Sequence, residues 1–149
     1  MFSLIITIIS IALVAALAVA TVYYGGAAFS QGSAKAEAST VIAQAQQIAA
    51  AEVLYANANN GAYDTSTGLT GLTGGSYLTA VPTLPVSAAS GTWTVATDAS
   101  GFQVTATITN QNVCTAIEDQ VGAGSTQTTC TWTAGTSTTT GTGAFVYND

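Results

Sequence analysis

The sequence has no arginine, no histidine and a single lysine, Lys35. A nucleic-acid surface neutralises phosphates with several cations, and this chain has almost no material for one, so no nucleic-acid partner is expected of the subunit alone. It offers no imidazole as a base or zinc ligand and no guanidinium to grip phosphate. Acidic groups are scarce too: Glu37, Glu52, Asp64, Asp98, Glu118, Asp119 and Asp149 complete the charge, which is 5% of the chain against about a quarter of an ordinary soluble domain. The carboxylates are spread along the chain rather than clustered, so neither an enzyme nor a cofactor site is expected. Calcium could draw only on Glu118-Asp119 and Asp98, and adjacent carboxylates on a helix diverge, so no metal site is expected either. Hydration of the surface falls to Ser, Thr, Asn, Gln and Gly.

What the sequence does have is a long uncharged start. Phe2 to Tyr24, FSLIITIISIALVAALAVATVYY, contains no ionisable group before the tyrosines at its end. At ~1.5 Å per residue such a helix reaches about 35 Å, enough to span a bilayer. Ser3, Thr7, Ser10 and Thr21 do not disqualify it, because each hydroxyl can bond back to a carbonyl one turn earlier. Ala18-Val19-Ala20 resembles a signal-peptide cleavage site, yet no Lys or Arg precedes the apolar run as a signal's first region requires. The segment therefore reads as a retained anchor or assembly helix, bare at its front because a basic leader was removed just before Met1.

Beyond Tyr24 the pattern changes. Ala38, Val41, Ile42, Ala45, Ile48, Ala49, Val53 and Ala56 recur at spacings of three and four, while Glu37, Thr40, Gln44 and Gln47 fall opposite. Residues 25–60 thus continue the helix in amphipathic form until Asn57, Asn59, Asn60 and Gly61 stop it. Within it Gly25-Gly26 and Gly32 each weaken a helix by up to ~1 kcal/mol relative to Ala. Two readings of Gly25 and Gly26 stay open, a hinge and close packing against a neighbouring helix.

Residues 61–149 form the head. Pro82 and Pro85 and a Gly/Thr/Ser-rich composition make Gly61 to Gly91 a long surface connection with one short helical turn. Trp93 and Val95, then Phe102, Val104, Ala106 and Ile108, alternate with polar residues and predict two half-buried strands joined by a turn at Asp98–Gly101. Val113, Ile117 and Val121 predict a short helix from Asn112, its N-cap, to Gly122. Thr128–Thr133 and Ala144–Tyr147 predict two more strands with the tract between them a flexible loop. The fold class expected is α+β, a small antiparallel sheet burying its apolar face on residues 36–56. Cys114 and Cys130, an exported pair in a small domain, predict one disulfide; closing a loop of about 15 residues contributes on the order of 3 kcal/mol.

An apolar helix followed by an amphipathic one, a glycine-rich loop, and a sheet with a two-cysteine C-terminal loop resembles the type IV pilins. The chain looks most like their type IVb branch, the pilins of conjugative thin pili and toxin-coregulated pili. The residues that carry this are Met1 as a non-Phe first residue, Gly61-Ala-Tyr63, the strand pair GTWTV and FQVTATI, and Asn112-Val-Cys114-Thr leading to Cys130. The resemblance implies a non-catalytic subunit, processed by a prepilin peptidase and N-methylated at Met1. It would be held in the inner membrane and then polymerised by pilus assembly machinery into an extracellular filament for adhesion, conjugation or motility. The helix that mediates this would present Phe2, Leu4, Ile5, Ile8, Ile9, Leu13 and Leu17. The family's usual glutamate at the fifth mature position is Ile5 here. A pseudopilin or minor pilin, an archaeal-type filament subunit and a membrane-anchored binding module are the alternatives.

Overall fold

The computed structural model describes residues 2–98, 101–122, 124–137 and 140–148. Met1 and the centre of the Asp98–Gly101 turn lie outside the described residues. The chain divides into two compact units, one ending at Ser33 and the other comprising Ala34–Asp149. The first is purely helical, the opening part of α1 (Phe2–Ala58). The remainder of α1 belongs to the second unit, together with α2 (Thr70–Gly74), β1 (Ala89–Thr97), β2 (Phe102–Ile108), α3 (Gln111–Val121), β3 (Thr128–Ser137) and β4 (Thr140–Asn148). The architecture is α+β, a long N-terminal helix with one four-stranded antiparallel sheet of order β1-β2-β4-β3.

In the second unit the three-and-four spacing of α1 places Ala38, Val41, Ala45, Ile48 and Ala49 on one stripe, and all are buried. They share a core with Trp93, Phe102, Val104, Ile108 and Phe145 from the sheet and with Val113 and Ile117 from α3. Val53, expected on that stripe, is exposed. Small alanines let α1 lie close while the aromatics fill the space between layers; Trp93 and Phe145 meet edge to face at 6.0 Å. Each large side chain buried here contributes about 1.5–3 kcal/mol. The helix ends where expected, through Asn60 and Gly61 in left-handed backbone (φ 55° and 84°), with Gly61 N–H donating to the Ala56 carbonyl at 2.8 Å.

Three expectations need correction. The Gly61–Gly91 stretch is not simply a surface connection: Leu72 of α2, its N-cap residue Leu69, and Leu78 and Ala88 beyond it are in the core. Asn110, not Asn112, caps α3; its side chain accepts from the Asn112 N–H at 3.0 Å. The tract after Thr133 is not a loop but mostly the continuation of β3 and β4, paired from Thr128↔Tyr147 to Ser137↔Thr140. Only its centre, residues 138 and 139, lies outside the described residues. The physical reason is at Gly141 and Gly143, where Trp132 covers the strand: a Cβ at Gly141 would stand 2.6 Å from the Trp132 ring, and at Gly143 3.1 Å from it. Glycine there lets an indole lie flat across the hairpin, and β-branched threonines favour extended backbone.

The disulfide joins Cys114 on α3 to Cys130 on β3, with Cα atoms 5.5 Å apart. Both cysteines are buried, so the bond clamps α3 to the sheet from within the core.

Candidate functional site

The residues singled out for assembly lie on the first part of α1. Phe2, Leu4, Ile5, Ile8, Ile9, Leu13 and Leu17 are all exposed, from 52% at Ile5 to 85% at Phe2. They do not converge on a pocket. Together with Ile6, Ile11, Val14, Val19 and Val22 they surround the helix, which is apolar on every side. No charged side chain occurs between Phe2 and Ala34. Three of the four hydroxyls expected to bond back do so: Thr7 donates to the Leu4 carbonyl at 2.8 Å, Ser10 to Ile6 at 2.8 Å and Thr21 to Ala18 at 2.9 Å, as does Ser33 to Ser30 at 3.0 Å; Ser3 makes no such bond among the described residues. Between Leu4 and Val22 the segment therefore presents only apolar side chains and hydroxyls already bonded to its own backbone. It is long and apolar enough to cross a membrane by length and composition. Tyr23 and Tyr24, edge to face at 5.6 Å, close the purely apolar stretch with the amphipathic rings that favour a membrane–water boundary.

Gly25, Gly26 and Gly32 are all within the helix. A Cβ at any of them would meet nothing within 4 Å, so no contact inside the chain demands glycine at these positions. Met1, the residue expected to be processed, lies outside the described residues.

Sequence reasoning missed a buried acidic pair. Glu52 sits among the alanines of the α1 core stripe and is fully buried. One carboxylate oxygen accepts from the Asp64 backbone N–H at 3.0 Å, and the other, Oε1, has no partner among the described residues. Burial lifts the Glu52 carboxyl above its ordinary range; the bond from Asp64 opposes this and the Asp64 charge adds to it. Asp64, also buried, accepts from the Ser66 N–H at 3.0 Å and the Leu72 N–H at 3.0 Å. Burial alone would raise its carboxyl, but hydrogen bonds from Ser66, Leu72 and Gly71 outweigh burial and hold it below the usual range. The pair fastens the start of the α2 loop onto α1. A signal was present, since position 52 falls three after Ala49 and four after Ile48.

The residues weighed for calcium stay apart in function. Glu118 and Asp119 are exposed on α3, and Asp98 accepts from the Gly101 N–H at 3.0 Å and from Gln103 Nε2 at 2.7 Å. Among the described residues no three carboxylate or cysteine side chains gather as metal ligands would. No family model matches the chain, and neither a curated protein nor a solved structure does.

Proposed function

We propose that the chain is a pilin-like filament subunit, of the type IV and most nearly the type IVb kind, that polymerises by burying the first part of α1 beside copies of itself. The observation that carries this reading is the helix with apolar side chains on every side and no charge from Phe2 to Ala34. At ~25 cal/mol per Å2, each large side chain left in water forfeits about 1.5–3 kcal/mol. The segment belongs in a bilayer, against other helices, or in each in turn. On this reading the subunit waits in the inner membrane, is processed by a prepilin peptidase and N-methylated, and is passed by assembly machinery into an extracellular filament that serves adhesion, conjugation or motility. With Ile5 in place of an acid, the register between subunits is set by shape, and Gly25 and Gly26 admit close helix approach.

Electron micrographs of sheared cell-surface material test the reading. Filaments of uniform width that contain this chain are expected. Their absence, with the chain remaining in the membrane fraction, would favour a singly anchored binding module instead.

A further inference from the structure

Residues 63–81 run from the end of α1 to Pro82 and bond mainly to themselves. Asp64 accepts from the Ser66 and Leu72 N–H groups, the Leu69 N–H donates to the Ser66 carbonyl at 3.0 Å, and the Tyr77 and Leu78 N–H groups donate to the Leu72 carbonyl at 3.0 and 3.1 Å. Among the described residues one hydrogen bond ties this segment to the rest of the second unit, from the Asp64 N–H to Glu52. The remaining attachment is apolar. Leu69, Leu72 and Leu78 enter the core, and Tyr77 meets Tyr55 of α1 edge to face at 5.6 Å. Gly71 lies so close that a Cβ there would stand 2.8 Å from the Asp64 carboxyl carbon and 3.0 Å from the Tyr55 ring.

That one hydrogen bond ends on a carboxyl that no cation balances. Glu52 is fully buried and its Oε1 has no partner among the described residues. The charge that acts on it is the like charge of Asp64. The other ionisable groups packed in this core are Tyr55 from α1, Tyr63 and Tyr77 from the segment and Tyr147 from β4; the core residues of β1, β2, β3 and α3 bring none. Lys35, the sole cation, is about 25 Å away along α1 at ~1.5 Å per residue.

We propose that Glu52 is a proton-operated clasp: protonated, it seats residues 63–81 on α1, and on ionisation it lets that segment lift locally while the sheet stays folded. An ionised Glu52 keeps one hydrogen bond and a bare oxygen, beside a second negative charge. Burying it in that form costs far more than burying the neutral acid. Opening the segment admits water to the carboxylate, and the proton passes to solvent. Burial in the closed state raises the Glu52 carboxyl, so closure is complete below the ordinary carboxylate range and is lost as pH rises through the raised value. Asp64 does not set this response, because its side-chain bonds to Ser66 and Leu72 lie inside the segment and move with it. The sheet does not need the clasp: its strands pair with one another, and the Cys114–Cys130 bond fixes α3 to β3. The inference concerns the second unit and stands whether or not the chain forms filaments.

The test is amide hydrogen exchange of the full chain in neutral detergent micelles, corrected for the intrinsic pH dependence of exchange. Asp64, Leu72 and Leu78 report on the segment, Val104 and Phe145 on the sheet. The segment amides should exchange through an opening that urea barely affects, and about 10-fold or more faster at about pH 8 than at about pH 5. The sheet amides should stay slower at every pH and exchange through urea-sensitive unfolding. Glu52→Gln should remove the pH dependence at the segment. Should that variant fail to fold, carbon NMR of the wild-type Glu52 carboxyl decides, with titration above the ordinary carboxylate range expected. Segment amides as slow and as urea-sensitive as the sheet would overturn the inference, since opening would then be global. So would segment exchange indifferent to pH, a pH dependence retained by the folded variant, or a Glu52 carboxyl that titrates in the ordinary range.

Discussion

At the residue scale Glu52 and Asp64 give the head two opposed responses to pH. Glu52 has its carboxyl raised on folding, first by burial. The native state therefore holds that proton more tightly than the unfolded chain does. Its contribution to stability is full below the unfolded carboxylate range and fades as pH climbs through the raised folded value. Asp64 is depressed by its hydrogen bonds, so its contribution is present above the unfolded range and fades as pH falls through the lowered folded value. The head should be most stable in mild acid, declining on both sides. Denaturant unfolding at a series of pH values checks this, and Glu52→Gln should flatten the decline on the neutral side. A decline of unchanged steepness in that variant would remove Glu52 as its cause. Asp64→Asn is the harsher change. Its amide cannot accept from both the Ser66 and Leu72 N–H groups, and one buried donor left without a partner costs about 1–3 kcal/mol. A midpoint shift of that size, greatest at neutral pH, is expected.

At the element scale the β3–β4 hairpin depends on glycine beneath Trp132, and α3 depends on its disulfide. Gly141→Ala places a methyl against the Trp132 ring and 2.8 Å from the Thr133 carbonyl oxygen. The indole must move off the strand, and its fluorescence should shift to the red as the head loses about 1–3 kcal/mol. An unchanged emission maximum would mean that the ring does not rest there. Non-reducing mass spectrometry should find the chain two hydrogen atoms lighter than the dithiol, and Cys114→Ala with Cys130→Ala should lower stability by about 2–4 kcal/mol. These two elements also mark where the sequence was and was not legible. The helix on residues 36–56, the β1–β2 pair and the short helix that carries Cys114 were readable because each repeats apolar residues at its own period. The tract after Thr133 has no apolar period at all. Its inward positions 141 and 143 on β4 are glycines, emptied for the Trp132 ring on the neighbouring strand, so composition alone reads as a loop. Glu52 was hidden for a related reason: its partner is a backbone N–H twelve residues on, visible only once the chain has turned back.

At the scale of the whole molecule, the apolar helix and the core of the second unit make different demands on solvent, and one substitution separates them. Leu13 is in the middle of the uncharged run and is 59% exposed, so it takes no part in holding the head together. An aspartate there meets no cation between Phe2 and Ala34, and a carboxylate at the centre of a membrane span costs about 2.5–3.5 kcal/mol. In a helical polymer every subunit would bear that cost, and no neighbouring segment of the same sequence could supply a countercharge. Leu13→Asp is therefore expected to abolish filaments, read by electron microscopy and by loss of the sheared surface fraction. A head expressed from about Gly32 onward should remain soluble, with the Cys114–Cys130 bond formed and cooperative unfolding retained. Assembly of normal filaments by the Leu13→Asp chain would sink the buried-helix model. Filaments formed by a chain lacking residues 1–31 would sink it as well, and would direct attention to contacts between the heads.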